Sequence, residues 1–310
     1  MSLRALACPA SLKGSLSASA AADALKKGFE DAGVPARSRP VADGGEGTLD
    51  VLCHAFETYD VVDAFGRPRS ARVGLLDADT RVVEAAEAIP FEPDPPDILA
   101  ASSRGLGVLI GKLPRCALLV TVGGTATMDG GAGLLDVLDE LPGPTRVLCD
   151  VRTRLFDAPR LYGPQKGATA EQVAELEERF RAMSRLAPFA EIPGSGAAGG
   201  LGAAFAALGA DLVPGADTVL DLVDFDPDPY DLVVTGEGTV DATTWEGKAP
   251  AAVARRCRRA GVPCVVFGGR VATESAPEGA VLEALSGDTE RAEEDLVELG
   301  RSLGAGLRGA

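Results

Sequence analysis

Short apolar runs and helical periodicity alternate from the first residues of the chain. Leu3–Cys8 reads as a buried strand. In Ser15–Asp31, Leu16, Ala20, Ala24 and Phe29 fall at helical spacing, with Ser15 as the expected N-cap and Gly33 as the stop. Ser38–Ala42 is a second strand candidate, and Thr48–Phe56 a second helix with His54 on its face. At Tyr59 the period shortens to two. "YDVVDAF", "RSARVGLL" and "TRVVEAA", separated by Gly-Arg-Pro and Asp-Ala-Asp turns, predict a three-stranded antiparallel meander over Tyr59–Ala85.

Further strands are predicted at Ala117–Val122, Arg146–Asp150, Asp231–Thr235, Pro263–Phe267 and Ala280–Leu285. Helical segments lie between them. The clearest is Ala170–Leu186, which the pattern Thr169-x-x-Gln172 introduces as a capping box. Strand–helix alternation with short loops argues for a parallel α/β sheet, which the meander interrupts as an inserted or second domain. The proline-rich Pro90–Asp97 and Asp224–Asp231 are expected to be rigid surface loops.

Composition narrows the function classes. The 310 residues carry a net charge of −16, which disfavours nucleic acid as a partner. No run approaches the roughly 20 apolar residues of a membrane span. The N-terminus lacks the basic, apolar and cleavage regions of a secretory signal, so a cytoplasmic location is expected. The six cysteines form no Cys-x-x-Cys pair and mostly sit in apolar runs, where a small buried thiol is the plain reading. His54 is the only histidine, which excludes a His-rich zinc site and leaves any Ser–His–Asp triad dependent on it.

Glycine carries more information. Five glycine-bearing segments each stand before a predicted helix: Ala10–Ser15, Ala42–Thr48, Gly123–Gly133, Tyr162–Thr169 and Thr235–Pro250. The first turn of a helix presents unpaired N–H groups and the positive dipole end, which suits anions. The chain has six lysines, and Lys13, Lys166 and Lys248 each adjoin a glycine in loop-like sequence. A compact ammonium suits a glycine loop that holds phosphate. Phosphoryl transfer needs cations for the phosphates, carboxylates for Mg²⁺ and a base near the acceptor hydroxyl. Those three lysines supply the first; Asp43, Glu46, Asp129, Asp150, Glu237 and Asp241 are candidates for the rest.

Two other patterns carry less. "GSGAAG" (Gly194–Gly199), with Asp217 downstream, matches a dinucleotide fingerprint, but Pro193 precedes it and no good strand does. The longer "GSGAAGGLGAAFAAL" reads as a small-residue helix packed closely on a neighbour. "EGKAP" lacks the upstream glycine and following Ser/Thr of a Walker A loop.

Taken in order, "SLKGSLSA", "ADGGEGT", "GGTATMDGGAGLL", "CDV" with "YGPQKGAT", "PGSGAAGGLGAA" and "TGEGTVDATTWEGKAP" resemble the type 1 glycerate kinase family of bacteria. The likeness runs to about Phe267. It implies two α/β domains with the active site in a cleft between them. One is a Rossmann- or flavodoxin-like parallel-sheet domain, residues 1–57 plus 188–310; the other is an inserted domain with a mixed sheet, residues 58–187. It further implies transfer of a phosphoryl group from ATP, with Mg²⁺, to D-glycerate or a related small hydroxy acid. 2-Phosphoglycerate is the expected product, and the enzyme a monomer or homodimer.

The corresponding site assigns catalysis to Asp129, Asp43, Asp241, Lys13 and Lys248. Cofactor binding falls to Gly44, Gly45, Glu46, Gly124, Lys166, Gly236 and Glu237, and Mg²⁺ to Asp43, Asp150 and Asp241. The glycines around Asp129 are expected to open the backbone to ligand. The chain departs from the family pattern at Ala10, where a carboxylate is usual, at Met128, where a polar residue is usual, and at Glu246, often a histidine. Two other functions compete: an impaired homologue that still binds nucleotide or metabolite, and a nucleotide-linked oxidoreductase using Gly194–Gly199.

Overall fold

A computed structural model describes residues 3–92, 97–273, 276 and 279–309. Among them are eleven strands: β1 (Ala5–Ala7), β2 (Ala36–Ser38), β3 (Phe56–Val62), β4 (Pro68–Leu75), β5 (Thr80–Glu84), β6 (Ala117–Thr121), β7 (Thr145–Cys149), β8 (Asp211–Pro214), β9 (Leu232–Val240), β10 (Cys264–Val271) and β11 (Ala280–Ala284). They form two sheets, and the chain divides into two compact units, Met1–Asp43 with Ala216–Ala310, and Gly44–Gly215.

The first unit holds a five-stranded, all-parallel sheet in the order β11-β10-β9-β1-β2. Alternation along its central strands separates two apolar layers. Leu6, Val233 and Val266 face helix Ala249–Ala260, whereas Ala5, Ala7, Leu232 and Val234 face Phe29 of helix Ala18–Asp31 and Leu296 of helix Ala292–Gly309. Helices on both faces of a parallel sheet make this a doubly wound unit of the Rossmann or flavodoxin kind.

The second unit holds a six-stranded mixed sheet, β3-β4-β5-β6-β7-β8. The β3–β4–β5 pairs are antiparallel and those from β5 to β8 parallel. One continuous core fills this unit, with Val83, Val120 and Val147 from the sheet packed with Leu106, Leu109, Phe180 and Phe205 from helices.

The meander and the parallel strands are where periodicity placed them, and the Thr169–Gln172 capping box forms with both reciprocal bonds. Boundaries differ. The second helix ends at Leu52, so exposed His54 lies in a bend and Phe56 already begins β3. Ser17, not Ser15, caps the first helix by accepting from Ala20 N at 3.2 Å. The second strand is Ala36–Ser38 and not Ser38–Ala42, although Arg39 N and Val41 N beyond it still donate to Ala7 O and Pro9 O at 2.8 and 3.0 Å. Strand β9 extends to Val240 and takes in Gly236–Gly238, which were expected in a loop.

The units also divide at other points than residues 57 and 188. Helix Thr48–Leu52 is bonded to Glu84 of β5, and β8 pairs with β7, which draws residues 44–57 and 188–215 into the second unit. Residues 93–96 of the loop at Pro90–Asp97 lie outside the described residues.

Candidate active site

In the first unit, chemistry collects at the carboxyl end of β1 and β9. The chain leaving β1 is tied down where Ala10 N donates to Gly236 O at 2.8 Å and Val41 N to Pro9 O at 3.0 Å. That brings the Lys13 backbone beside Gly238, where an added Cβ would stand 3.5 Å from Lys13 N. Lys13 itself is exposed.

Glu237 stands at the centre of this group. Thr244 Oγ1 donates to its Oε1 at 2.7 Å, and Lys248 Nζ approaches Oε2 at 3.4 Å. Its side chain is only 14% exposed, and burial raises the carboxyl above the usual range. Lys248 and the Thr244 bond oppose the rise, while nearby Asp43 adds to it. Asp241 acts largely as a cap: its Oδ1 accepts from Thr243 N at 2.8 Å and from Thr243 Oγ1 at 2.6 Å. Those bonds, the hydroxyl's first, lower its pKa. Helix Ala249–Ala260 starts at Lys248 with no side-chain cap, and Pro250 in its first turn has no N–H to satisfy.

The second unit brings a different set together at the carboxyl ends of β6 and β7. Gly123 packs against the backbone of Gly45; a Cβ there would be 2.6 Å from Gly45 Cα and 3.3 Å from Asp150 Oδ2. Glu46 lies against Gly124. Lys166 Nζ donates to Thr127 O at 2.8 Å, and burial brings its pKa down to about 8 against the pull of Asp129 and Asp150.

The loop around Asp129 differs from expectation. Oδ2 of Asp129 accepts from Ser103 N and Ser103 Oγ, both at 2.8 Å, and from Gly133 N at 3.1 Å, while Oδ1 accepts from Gly131 N at 3.0 Å. Four donors from two segments make this carboxylate a clamp, and hydrogen bonds to a charged group contribute about 1.5–3 kcal/mol each. The glycines beside it face protein. A Cβ at Gly131, where φ is +74°, would stand 2.3 Å from Ala204 Cβ; one at Gly199 would stand 2.1 Å from Thr127 O. The small-residue segment Gly194–Leu208 is packed closely, as expected. However, Ala198, Gly199 and Gly200 have positive φ and interrupt the helix.

Sequence reasoning passed over three participants. Ser103 completes the Asp129 clamp, Thr244 orients Glu237, and Glu84 accepts from Gly47 N at 3.0 Å and Leu49 N at 2.9 Å. None lies next to its partner in sequence. Only Thr244, inside a glycine segment already singled out, was within reach of a motif argument.

Residues 5–140 and 144–290 match the profile of the glycerate kinase family. The chain belongs to this family. It is 34% identical to the glycerate kinase of Bacillus subtilis strain 168, covering 88% of this chain and 86% of that protein. It is 32% identical to glycerate 2-kinase of Escherichia coli K12, over 86% and 85% of the two chains. A crystal structure from Salmonella typhimurium LT2, assigned as glycerate kinase 2, superposes with a TM-score of 0.80 at 29% identity, covering 100% of this chain and 99% of that one.

Against glycerate kinases in general, the three departures have distinct surroundings. Ala10 joins the apolar layer beneath helix Ala249–Ala260, Met128 is fully buried in the second unit's core, and Glu246 is exposed. Met128 therefore packs with that core, where Gly199 lies against it. The dinucleotide fingerprint also lacks its context: Gly194–Gly199 follows turns and the short 3₁₀ helix Ala187–Phe189, with no strand leading into it. Among the described residues, no three His, Cys, Asp or Glu side chains gather as a metal cluster. No helix of the described residues is long and apolar enough to cross a membrane.

Proposed function

We propose that this chain transfers the γ-phosphoryl group of ATP, with Mg²⁺, to D-glycerate and releases 2-phosphoglycerate. The carrying observation is Glu237 in a chain of the glycerate kinase family: a shielded carboxylate of raised pKa, oriented by Thr244 and facing Lys248. A base of raised pKa suits removal of the acceptor's hydroxyl proton near neutral pH. We give Glu237 this role in place of Asp129, whose oxygens already serve four donors.

Lys13 and Lys248 offset phosphate charge, helped by the uncapped start of helix Ala249–Ala260. Gly44, Gly45, Glu46, Gly124, Gly236 and Lys166 are assigned to nucleotide and substrate contacts. Asp43, Asp150 and Asp241 are the carboxylates we assign to Mg²⁺. That ion takes one or two carboxylates and completes its shell with water and substrate phosphates, so one or two of these three would hold it. When bound, Mg²⁺ offsets charge on the phosphate oxygens. The choice of the 2-hydroxyl leans on the glycerate 2-kinase of Escherichia coli among the relatives.

The test is ADP release with ATP–Mg²⁺ and D-glycerate, with the product resolved by ³¹P NMR. The reading expects turnover that needs all three components and a 2-phosphate resonance. A 3-phosphate resonance overturns the regiochemistry. Binding of ATP without turnover would favour the impaired homologue.

A further inference from the structure

Glu84 ends β5 and is 4% exposed. It is a carboxylate in a place where burial costs several kcal/mol unless donors surround it. The donors are backbone amides. Gly47 N donates to both oxygens, at 3.0 and 3.2 Å, and Leu49 N to Oε2 at 2.9 Å. These amides open helix Thr48–Leu52, directly after the Gly44–Gly47 loop. The anion expected there is thus supplied from inside the protein, and the loop presents its shape to a ligand, not the amides of that helix.

The rest of the loop fits this reading. Gly44 (φ +92°) rests against Leu148 and Gly215, and Gly45 against Gly123. On the outer side, Arg72 joins Asp50 of the same helix to Glu87, with its guanidinium 2.8 Å from Asp50 Oδ1 and 2.7 Å from Glu87 Oε1. Glu84 holds the loop from beneath and Arg72 holds the following helix from outside.

We infer that Glu84 is a positioning residue, whose buried carboxylate fixes the Gly44–Gly47 loop in its substrate-binding form by accepting the Gly47 and Leu49 amides. The link to substrate rests on the kinase reading; the link to the loop does not. Protonation of Glu84 would turn one accepting oxygen into a donor facing an amide donor, so the Gly47 and Leu49 bonds weaken as the carboxyl gains its proton, while the side chain, easier to bury when neutral, stays inside. Burial pushes that carboxyl up to about 7; the Leu49 and Gly47 amides oppose the rise, and Glu87 and Asp50 add to it. The charged groups acting on it are Glu87 from helix Ala85–Ala88 and Asp50 from helix Thr48–Leu52, and Arg72 from β4 pairs with both of these acids. The loop therefore responds to pH in the neutral range.

Two measurements decide it. In the wild-type chain, the ¹⁵N–¹H shifts of Gly47 and Leu49 should titrate together with a midpoint near the Glu84 value of about 7, and in Glu84→Gln that titration should vanish. In steady-state assays, Glu84→Gln should raise the KM of one substrate about tenfold while kcat stays within about threefold, and should flatten kcat/KM between about pH 6 and 8. Amide shifts that ignore pH in the wild type would overturn the inference even if the variant does not fold. Titrating amides with unchanged KM would overturn the role in substrate binding. A wild-type chain that titrates but does not phosphorylate glycerate would sink the kinase reading and leave the loop assignment standing.

Discussion

The segment after β6 and the carboxyl-terminal half of β9 are alike in sequence, each with a carboxylate among glycines behind an apolar run. In the first, Asp129 is clasped by Ser103, Gly131 and Gly133, and the glycines give room to Ala204 and Ser102. In the second, Glu237 has one hydroxyl donor and a lysine at 3.4 Å, and the next helix opens without a cap. A carboxylate saturated by backbone amides organises the chain around it. One that is buried with few donors and a counter-charge keeps its capacity to exchange a proton. Glycine density separates neither case; the donor count does.

Substitutions should therefore divide by loop. Among the partners of Glu237 the larger effect is expected for Lys248→Met, which leaves Glu237 without its cation and the phosphates without one of their two lysines: kcat/KM for ATP should fall about 10–100-fold, the scale of losing a charged hydrogen bond, with little change in Tm. Gly131→Ala should act the other way. Its methyl meets Ala204 at 2.3 Å and its φ of +74° is strained, so about 2 kcal/mol or more of stability should be lost while the folded fraction keeps its kcat. Thermal unfolding read beside kinetics separates the two.

Thr244→Val removes the donor to Glu237 and should cost about fivefold in kcat, the worth of roughly 1 kcal/mol; an unchanged kcat would show that Glu237 needs no orientation. Met128→Leu, a volume-conserving change in a dry core, should cost less than about 1.5 kcal/mol. It should leave substrate preference unaltered, and a shift toward another hydroxy acid would place Met128 at the pocket after all.

Much of this was legible in the sequence because it is local. The change to period two marked the meander, and the Thr169–Gln172 cap spans three residues. Lys248 and Glu237 fell within one quoted segment. Glu84 was not legible, since its partners Gly47 and Leu49 are 37 and 35 residues away. Nor was the clamp on Asp129, whose serine lies 26 residues upstream. An isolated acid inside a strand gives no sign that a loop's amides will fold onto it. A cluster of glycines does not reveal whether a ligand or a neighbouring helix will press on it. Helix ends suffered for a similar reason: the apolar run to Phe56 fits a helix or a strand until β4 pairs with it.

The most direct test compares Glu237→Gln with Asp129→Asn, each measured for kcat and Tm in the glycerate assay. The account predicts that Glu237→Gln loses about 10²-fold or more in kcat, the scale of a general base, with Tm nearly unchanged. Asp129→Asn, which turns an amide donor toward a ring of donors, should lose about 1–3 kcal/mol of stability with kcat close to wild type. A collapse of kcat in Asp129→Asn at full stability, beside an active Glu237→Gln, would contradict it.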